Sequence, residues 1–472
     1  MNTVSVIGGG LAGCEAALQL ARRGVRVELF EMRPHVMTPA HETDRLAELV
    51  CSNSFKSASP THASGLLKSE LARLGSALLA IAEQCRVEAG TALAVDRDQF
   101  ASAVTESVCA HPLIKLRREE VHAPPPAGEV ILASGPLTSE RLAAALAEIV
   151  GEQRLFFYDA TAPIVDAVSL DTDVLFAANR REAGEGHYLN CPFNREQYET
   201  FVTALLDAER FPLREFESAS YFESCLPIDE LARRGRDTLR FGPMRPVGLV
   251  DPRTGRRPYA VVQLRPENRA ATAYNLVGFQ NRLRHDAQRR VLRLIPGLEH
   301  ARFFRLGRIH RNTYLDAPRL LDAHLWLLRE PRLTVAGQLT GLEGYVEAIA
   351  TGLLAGIFTA SRLAGREMRP PPPETAVGAL LEFVSGDPDR TYRPTNINYG
   401  LFPPLEQARL RGRERARAIG ERATQALRAW NEDVGACVSV PEAGGNEVSC
   451  PRCSSGAGDE RPDGGAGEAG SG

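Results

Sequence analysis

The chain has 472 residues, 43% of them hydrophobic and 24% charged, with a formal net charge of −3. That balance fits a globular protein of two or three domains. No apolar run approaches ~18 residues and no basic apolar leader opens the chain, which predicts a cytoplasmic protein without a membrane span. A slightly acidic total argues against a nucleic-acid partner, yet 53 of the 56 basic residues are arginine, a bias that either GC-rich coding or bidentate phosphate contacts produce.

In chain order, residues 4–7 read as a short buried strand that runs into Gly8-Gly9-Gly10-Leu11-Ala12-Gly13. A helix over 11–23 and a strand over 25–31 complete a βαβ start. In such a unit Gly8 permits the tight turn, Gly10 lets backbone approach a pyrophosphate, and Gly13 lets helix pack on strand. The helix N-terminus offers unpaired N–H groups to phosphate, and Glu31, closing the second strand, suits ribose hydroxyls. Gly9, Leu11 and Ala12 complete the expected dinucleotide contacts. Residues 43–110 are expected to be mainly helical, with helices over 63–84 and 97–110 and a loop over 51–61. Another buried strand covers 130–133. Residues 155–306 mix short strands and loops, and 333–336 is again a buried strand. It enters a second glycine-rich turn, whose Gly337, Gln338, Gly341, Glu343, Gly344 and Tyr345 precede a small-residue helix over 344–363. The first motif alone leaves FAD and NAD open. The second turn, placed to direct N–H groups at an isoalloxazine, favours FAD.

The fold class expected is therefore α/β, a discontinuous Rossmann-like FAD-binding domain with a mixed α/β insertion domain. The boundaries expected are 1–160 and 321–433 for the FAD domain, the latter with a basic C-terminal helix, and 161–320 for the insertion. Residues 434–472 hold ten glycines, six acids and two bases, a composition expected to stay disordered and acidic. Removing that tail leaves 1–433 at +1, so the acidic total conceals a slightly basic remainder.

Nine cysteines are too few for a disulfide scaffold, and without an export signal they read as reduced thiols. Cys450-Pro451-Arg452-Cys453 has zinc-knuckle spacing, but only Cys437 lies near and the tail has no histidine, so no metal is expected. Cys14, Cys85, Cys109 and Cys191 read as packing thiols.

Several stretches carry a family resemblance: Glu48-Leu49-Val50-Cys51-Ser52-Asn53-Ser54, Tyr221-Phe222-Glu223-Ser224-Cys225-Leu226-Pro227, Asn275-Leu276-Val277-Gly278-Phe279-Gln280, His310-Arg311-Asn312-Thr313 and Asn396-Ile397-Asn398-Tyr399-Gly400-Leu401. With the turn over 337–345 they resemble the TrmFO family of folate- and FAD-dependent tRNA (uracil-5-)-methyltransferases, over about residues 1–430. The resemblance implies methylation of C5 of uridine 54 in the tRNA T-loop. The carbon donor would be 5,10-methylenetetrahydrofolate and the reductant NADH or NADPH, acting through FAD. C5 of uracil is a poor nucleophile until something adds at C6, and a thiolate suits that addition. By resemblance Cys225 is that nucleophile. Cys51 is the second functional cysteine, near the flavin, protecting the methylene unit or assisting proton removal.

His310 is a candidate for packing on the pterin or the flavin, and Arg311 for a glutamate tail or phosphate. Three arginine clusters suit RNA phosphates: Arg233 and Arg234 near Cys225, Arg282 and Arg284, and Arg409, Arg411 and Arg413 near the C-terminal helix. Asn281, where the family usually has threonine, is expected near the active site. The same chemistry on ribosomal RNA and an FAD oxidoreductase of a small molecule stand as alternatives. Oligomeric state is left open.

Overall fold

The computed structural model describes residues 3–151, 155–180, 186–211, 226–307, 309–390, 392–405 and 410–434, with side chains left aside at 155–160 and 309–311. A six-stranded sheet runs in the order Trp326–Leu327, Glu330–Val335, Val130–Leu132, Thr3–Ile7, Arg26–Glu31, Ile114–Arg118. All but its first edge strand pair in parallel, so its central strands are covered on both faces and consist of apolar runs. Val4, Val6, Val130, Ile131 and Leu132 are fully buried. The chain returns to this sheet at Glu330–Val335 after nearly 200 residues elsewhere, which brings the second glycine-rich turn beside the first.

On one face the helix Leu11–Arg22 crosses the helix Tyr345–Leu363. The crossing is close because small residues line it: a Cβ at Gly352 would lie 2.3 Å from the Ala12 carbonyl oxygen. The helix Tyr345–Leu363 is long and apolar enough to cross a membrane, but 89% of its apolar window is buried in this core. Its small-residue surface is thus explained by packing.

The second six-stranded sheet is antiparallel, in the order Phe176–Ala177, Leu189–Phe193, Ala260–Pro266, Ala273–Leu276, Ile164–Asp166, Phe303–Arg305. Its separate core gathers Phe193, Phe201 and Phe279 beneath the helix Arg195–Asp207. An antiparallel pair, Leu155–Ala160 with Ile309–Tyr314, joins the two sheets' segments. A three-stranded sheet, Ser54–Ser57, Ala92–Val95 and Arg86–Val87, carries the stretch that follows Cys51.

The helix expected over 97–110 is present as Arg97–Ala110, where the Asp96 side chain accepts from Gln99 N at 3.1 Å. The helix expected over 63–84 is instead two, Ala63–Arg73 and Ala77–Gln84. Gly75 takes φ +74° between them, and Ser76 caps the second. Buried Glu15 accepts from Ala77 N at 3.1 Å and Leu78 N at 2.9 Å, so a carboxylate from the first helix fixes the break. The strand Ile114–Arg118 and the helix Glu140–Val150 were not expected from the sequence. The tail expected to be disordered lies outside the described residues.

Candidate active site

The first glycine turn is built by steric necessity. Gly8 has φ +111°, and a Cβ there would lie 2.3 Å from the Ala133 carbonyl oxygen; one at Gly13 would lie 1.9 Å from the Gly8 oxygen. Gly10 is different, because a Cβ there meets nothing within 4 Å and opens onto a cleft. Gly10 is also the N-cap of the first helix and supplies no side-chain cap. First-turn N–H groups therefore face the cleft free of side-chain capping.

That cleft runs from Glu31 past Gly9 to Gly337, Gln338 and Tyr345. Its far end meets a second uncapped helix N-terminus, at Gly344, with φ +120°. The Glu31 carboxylate accepts from Gly9 N at 3.0 Å and from Arg33 Nε at 2.9 Å. Burial opposes its ionisation, but the Arg33 hydrogen bonds and charge prevail and hold the carboxyl below its ordinary range. Arg33 also reaches Glu48 at 3.0 Å, tying the Glu31 end of the cleft to the loop that leads to Cys51. Two phosphate-facing helix ends in one elongated cleft, with an acid at its start, fit a dinucleotide as large as FAD.

A second cavity of about 1210 Å³ shares Val50, Pro136, Gln338, Gly344 and Tyr345 with the first. Cys51, half-buried, lines it. Its backbone is held from several directions. Arg97 donates to the Leu49 carbonyl, and Arg305 Nη2 to Val50 O at 2.7 Å. The Tyr345 hydroxyl accepts from Cys51 N at 3.0 Å and Ser52 N at 3.1 Å. Asn53 donates to Val95 O at 2.9 Å and Pro266 O at 3.0 Å, and accepts from Arg265 Nε at 2.7 Å. Ala47 and Lys56, on either side of this loop, take φ +50° and +64°, which non-glycine residues rarely adopt.

The charge around Cys51 is mainly cationic. Burial lowers the affinity of the Arg97 guanidinium for its proton, and Glu267, 2.8 Å away, more than restores it. Burial and the nearby Arg97 charge hold Arg305 below its ordinary range. Both guanidiniums interact electrostatically with Cys51, so a thiolate there lies in a favourable field. Burial pushes the Tyr345 phenol well up, keeping it protonated. Cys14 and Cys191 are buried with thiols pushed up in the same way, as packing thiols should be, and Cys85 is buried too; Cys109, expected to pack, is instead exposed near the end of the helix Arg97–Ala110.

The structure thus gathers Gly8, Gly9, Gly10, Leu11, Ala12, Glu31, Gly337, Gln338, Gly344 and Tyr345 on the first cleft, and Cys51 and Glu343 on the second cavity. Gly341 lines neither. It takes φ +82° against the Tyr392 ring, a packing position. His310 and Arg311 lie on the strand Ile309–Tyr314, opposite Asp159 and Tyr158. Cys225 and Arg409 lie outside the described residues. The next described stretch after Cys225 is anchored to the cavity: Ile228 N donates to Gln280 O at 2.8 Å, and Gln280 is part of its wall.

Arg233, Arg234, Arg284, Arg411 and Arg413 are exposed. Arg282 is not, and its expected place on an RNA-facing surface is corrected: it is 7% exposed and ion-paired inward with Asp229 and Glu230. Asn281 is fully buried and closes a turn through Phe279 O and Leu283 N, away from the cavity lining. Sequence reasoning missed Arg33, Arg97, Arg265 and Arg305, which nothing marks among 53 arginines. Asn275 and Asn312 lay inside recognised stretches without being singled out. Among the described residues no cluster of His, Cys, Asp and Glu could hold a metal.

Comparisons with known proteins decide the family. The family model described as Glucose inhibited division protein A matches residues 3–367. The methylenetetrahydrofolate–tRNA-(uracil-5-)-methyltransferase TrmFO of Geobacter sulfurreducens is 55% identical over 430 residues, 91% of this chain and 99% of that protein. That of Moorella thermoacetica is 55% identical over 431 residues, 91% and 98% of the two chains. The chain belongs to the TrmFO family. Among solved structures, Aquifex aeolicus GidA in its form I crystal superposes with a TM-score of 0.67 at 17% identity, over 92% of this chain and 77% of that one. The form II crystal gives 0.63 at 18%, over the same shares. At that identity the likeness shows a common fold. Both TrmFO relatives are matched over nearly their whole length.

Proposed function

We propose that the chain methylates C5 of a uridine in tRNA, at position 54 of the T-loop, in the cytoplasm. It takes its carbon from 5,10-methylenetetrahydrofolate and its electrons from NADH or NADPH. The observation that carries this reading is the junction at Gln338, Gly344 and Tyr345, residues shared by the glycine-lined cleft and the cavity that Cys51 lines. FAD, when bound in the cleft, supplies the redox chemistry that turns a methylene unit into a methyl group.

The chain's own residues do the rest. The backbone from Gly8 to Gly13 and the helix end at Gly344 receive the phosphates and the flavin end, and Glu31 receives ribose hydroxyls. Cys225 adds as thiolate to C6 of uracil and makes C5 nucleophilic. Cys51, in the field of Arg97 and Arg305, removes the C5 proton or shields the one-carbon unit. His310 and Arg311 are assigned to the folate, and exposed Arg233, Arg234, Arg284, Arg411 and Arg413, with Arg409, to RNA phosphates. We divide the chain into an FAD domain from 1–160 and 321–433 around an insertion at 161–320.

The test is methylation of an unmodified tRNA transcript by Cys225→Ala, which should lose activity while the protein stays folded and yellow. Methylation at the wild-type rate in that variant removes the nucleophile assignment. A wild-type protein that never binds FAD removes the whole reading.

A further inference from the structure

Three polar side chains in the cavity wall hold groups with no partner among the described residues. Asn312 is 0% exposed, and neither its Oδ1 nor its Nδ2 is hydrogen-bonded. Asn275 Nδ2 and Arg265 Nη2 are likewise unmet, on residues 2% and 6% exposed. A buried group left unpaired is costly, so four together on one cavity call for a ligand. Arg265 is held through Nε by Asn53, two residues from Cys51. Asn275 sits opposite Arg265 across the antiparallel pair Ala260–Pro266 and Ala273–Leu276. Asn312 comes from the strand Ile309–Tyr314, so three strands of the fold set the arrangement.

On these three side chains the unmet groups are three donors and one acceptor. The edge of a uracil ring offers the complement, two carbonyl acceptors on either side of one N–H donor. A reduced pterin offers mainly donors, N3–H, N8–H and the exocyclic amine, and needs acceptors. Glu343, a carboxylate of this cavity, accepts from Gln338 Nε2 at 2.5 Å through Oε2.

We propose that Asn312, with Asn275 and Arg265, is the specificity-determining edge for the target base, reading N3–H and the two carbonyls of uracil. The inference rests on the reading of the chain as a uridine methylase. Asn312 pairs with the ring as a carboxamide does with a lactam: Oδ1 accepts from N3–H, and Nδ2 donates to the neighbouring carbonyl. Arg265 and Asn275 supply the remaining donors. When a thiolate adds to C6, negative charge grows on O4, and fixed donors at that oxygen stabilise it.

The test uses the FAD-loaded protein, with two tRNA transcripts that differ only by uridine or cytidine at the target position. Phosphate contacts are common to both, so the ratio of their affinities in competition binding isolates the base. Asn312→Asp replaces the donor to O4 by an acceptor, which repels uracil and accepts from the amine of cytosine. It should lower kcat/KM on the uridine transcript on the order of 10²–10³-fold. It should also lower the uridine-to-cytidine affinity ratio at least tenfold. The affinity for 5-formyltetrahydrofolate, read by the change in flavin absorbance, should stay within twofold. An unchanged ratio overturns the proposal, whatever happens to the rate. A fall in folate affinity with the ratio intact overturns it in favour of a pterin. Should Asn312→Asp fail to retain flavin, Asn275→Asp gives the same ratio test. A wild-type protein that binds FAD and folate but methylates no transcript defeats the methylase reading itself, a result distinct from an unchanged ratio in an active enzyme.

Discussion

At the scale of single residues, the site depends on charge placed where water is scarce. Arg97 and Arg305 hold the two carbonyls that precede Cys51 and interact electrostatically with its thiol. Arg305→Leu should therefore slow alkylation of Cys51 by iodoacetamide near neutral pH, several-fold, and move its pH profile upward, as one pKa unit corresponds to about 1.4 kcal/mol. Peptide mass spectrometry after timed labelling measures this, and an unchanged profile contradicts the electrostatic role. Cys51→Ala should lose methylation and keep its flavin, measured by product formation and absorbance. Cys51 could be singled out from its neighbours in sequence, and the fold places it in the wall of the second cavity. Which arginines support Cys51 was not legible there, because Arg97 is drawn from a helix start and Arg305 from a strand of the other sheet. Proximity of that kind arises only from folding.

At the scale of elements, the glycine turn shows how one motif serves two purposes. Gly13→Ala should destabilise the fold, because its Cβ would lie 1.9 Å from backbone oxygen. Gly10→Val should fold but lose FAD, because its side chain meets only the open cleft. Melting and flavin absorbance together separate the two outcomes. Glu70 shows a similar economy at a helix end. Its carboxylate accepts from Ala376 N at 2.8 Å and Val377 N at 2.9 Å, at the start of the helix Ala376–Ser385. Burial nevertheless raises its pKa to about 7, so between its ordinary range and that value the folded state binds a proton the unfolded chain has released. Stability from this site is then complete at low pH and declines as pH rises through about 7, by on the order of 3 kcal/mol. Against Glu70→Gln as a neutral reference, the melting temperature of the wild type should fall progressively over that range; a constant difference contradicts it. The βαβ start and its return strand could be read from apolar runs ending in glycine. The strand Ile114–Arg118 could not, since it is an edge strand with three charged residues. The break between the helices 63–73 and 77–84 depends on Glu15, sixty residues earlier in the chain.

At the scale of the whole molecule, the net charge of −3 first argues against RNA, while residues 1–433 sum to +1. The exposed arginines at the start of the C-terminal helix, Arg411 and Arg413, are expected to meet phosphate. Replacing both by alanine should weaken tRNA binding and flatten the dependence of log affinity on log salt by roughly 1–2, measured by filter binding; an unchanged slope moves the RNA elsewhere. The shared wall of the two cavities joins the halves of the account, since a cleft for a flavin is useful here only if it delivers carbon to a base beside a thiol. The most direct measurement is nucleoside mass spectrometry of an unmodified tRNA transcript. It would be incubated with the purified protein, FAD, NADPH and methylenetetrahydrofolate carrying a ¹³C methylene carbon. The account predicts 5-methyluridine with the heavy carbon in its methyl group. Absence of that nucleoside, or a methyl group without the label, would contradict it.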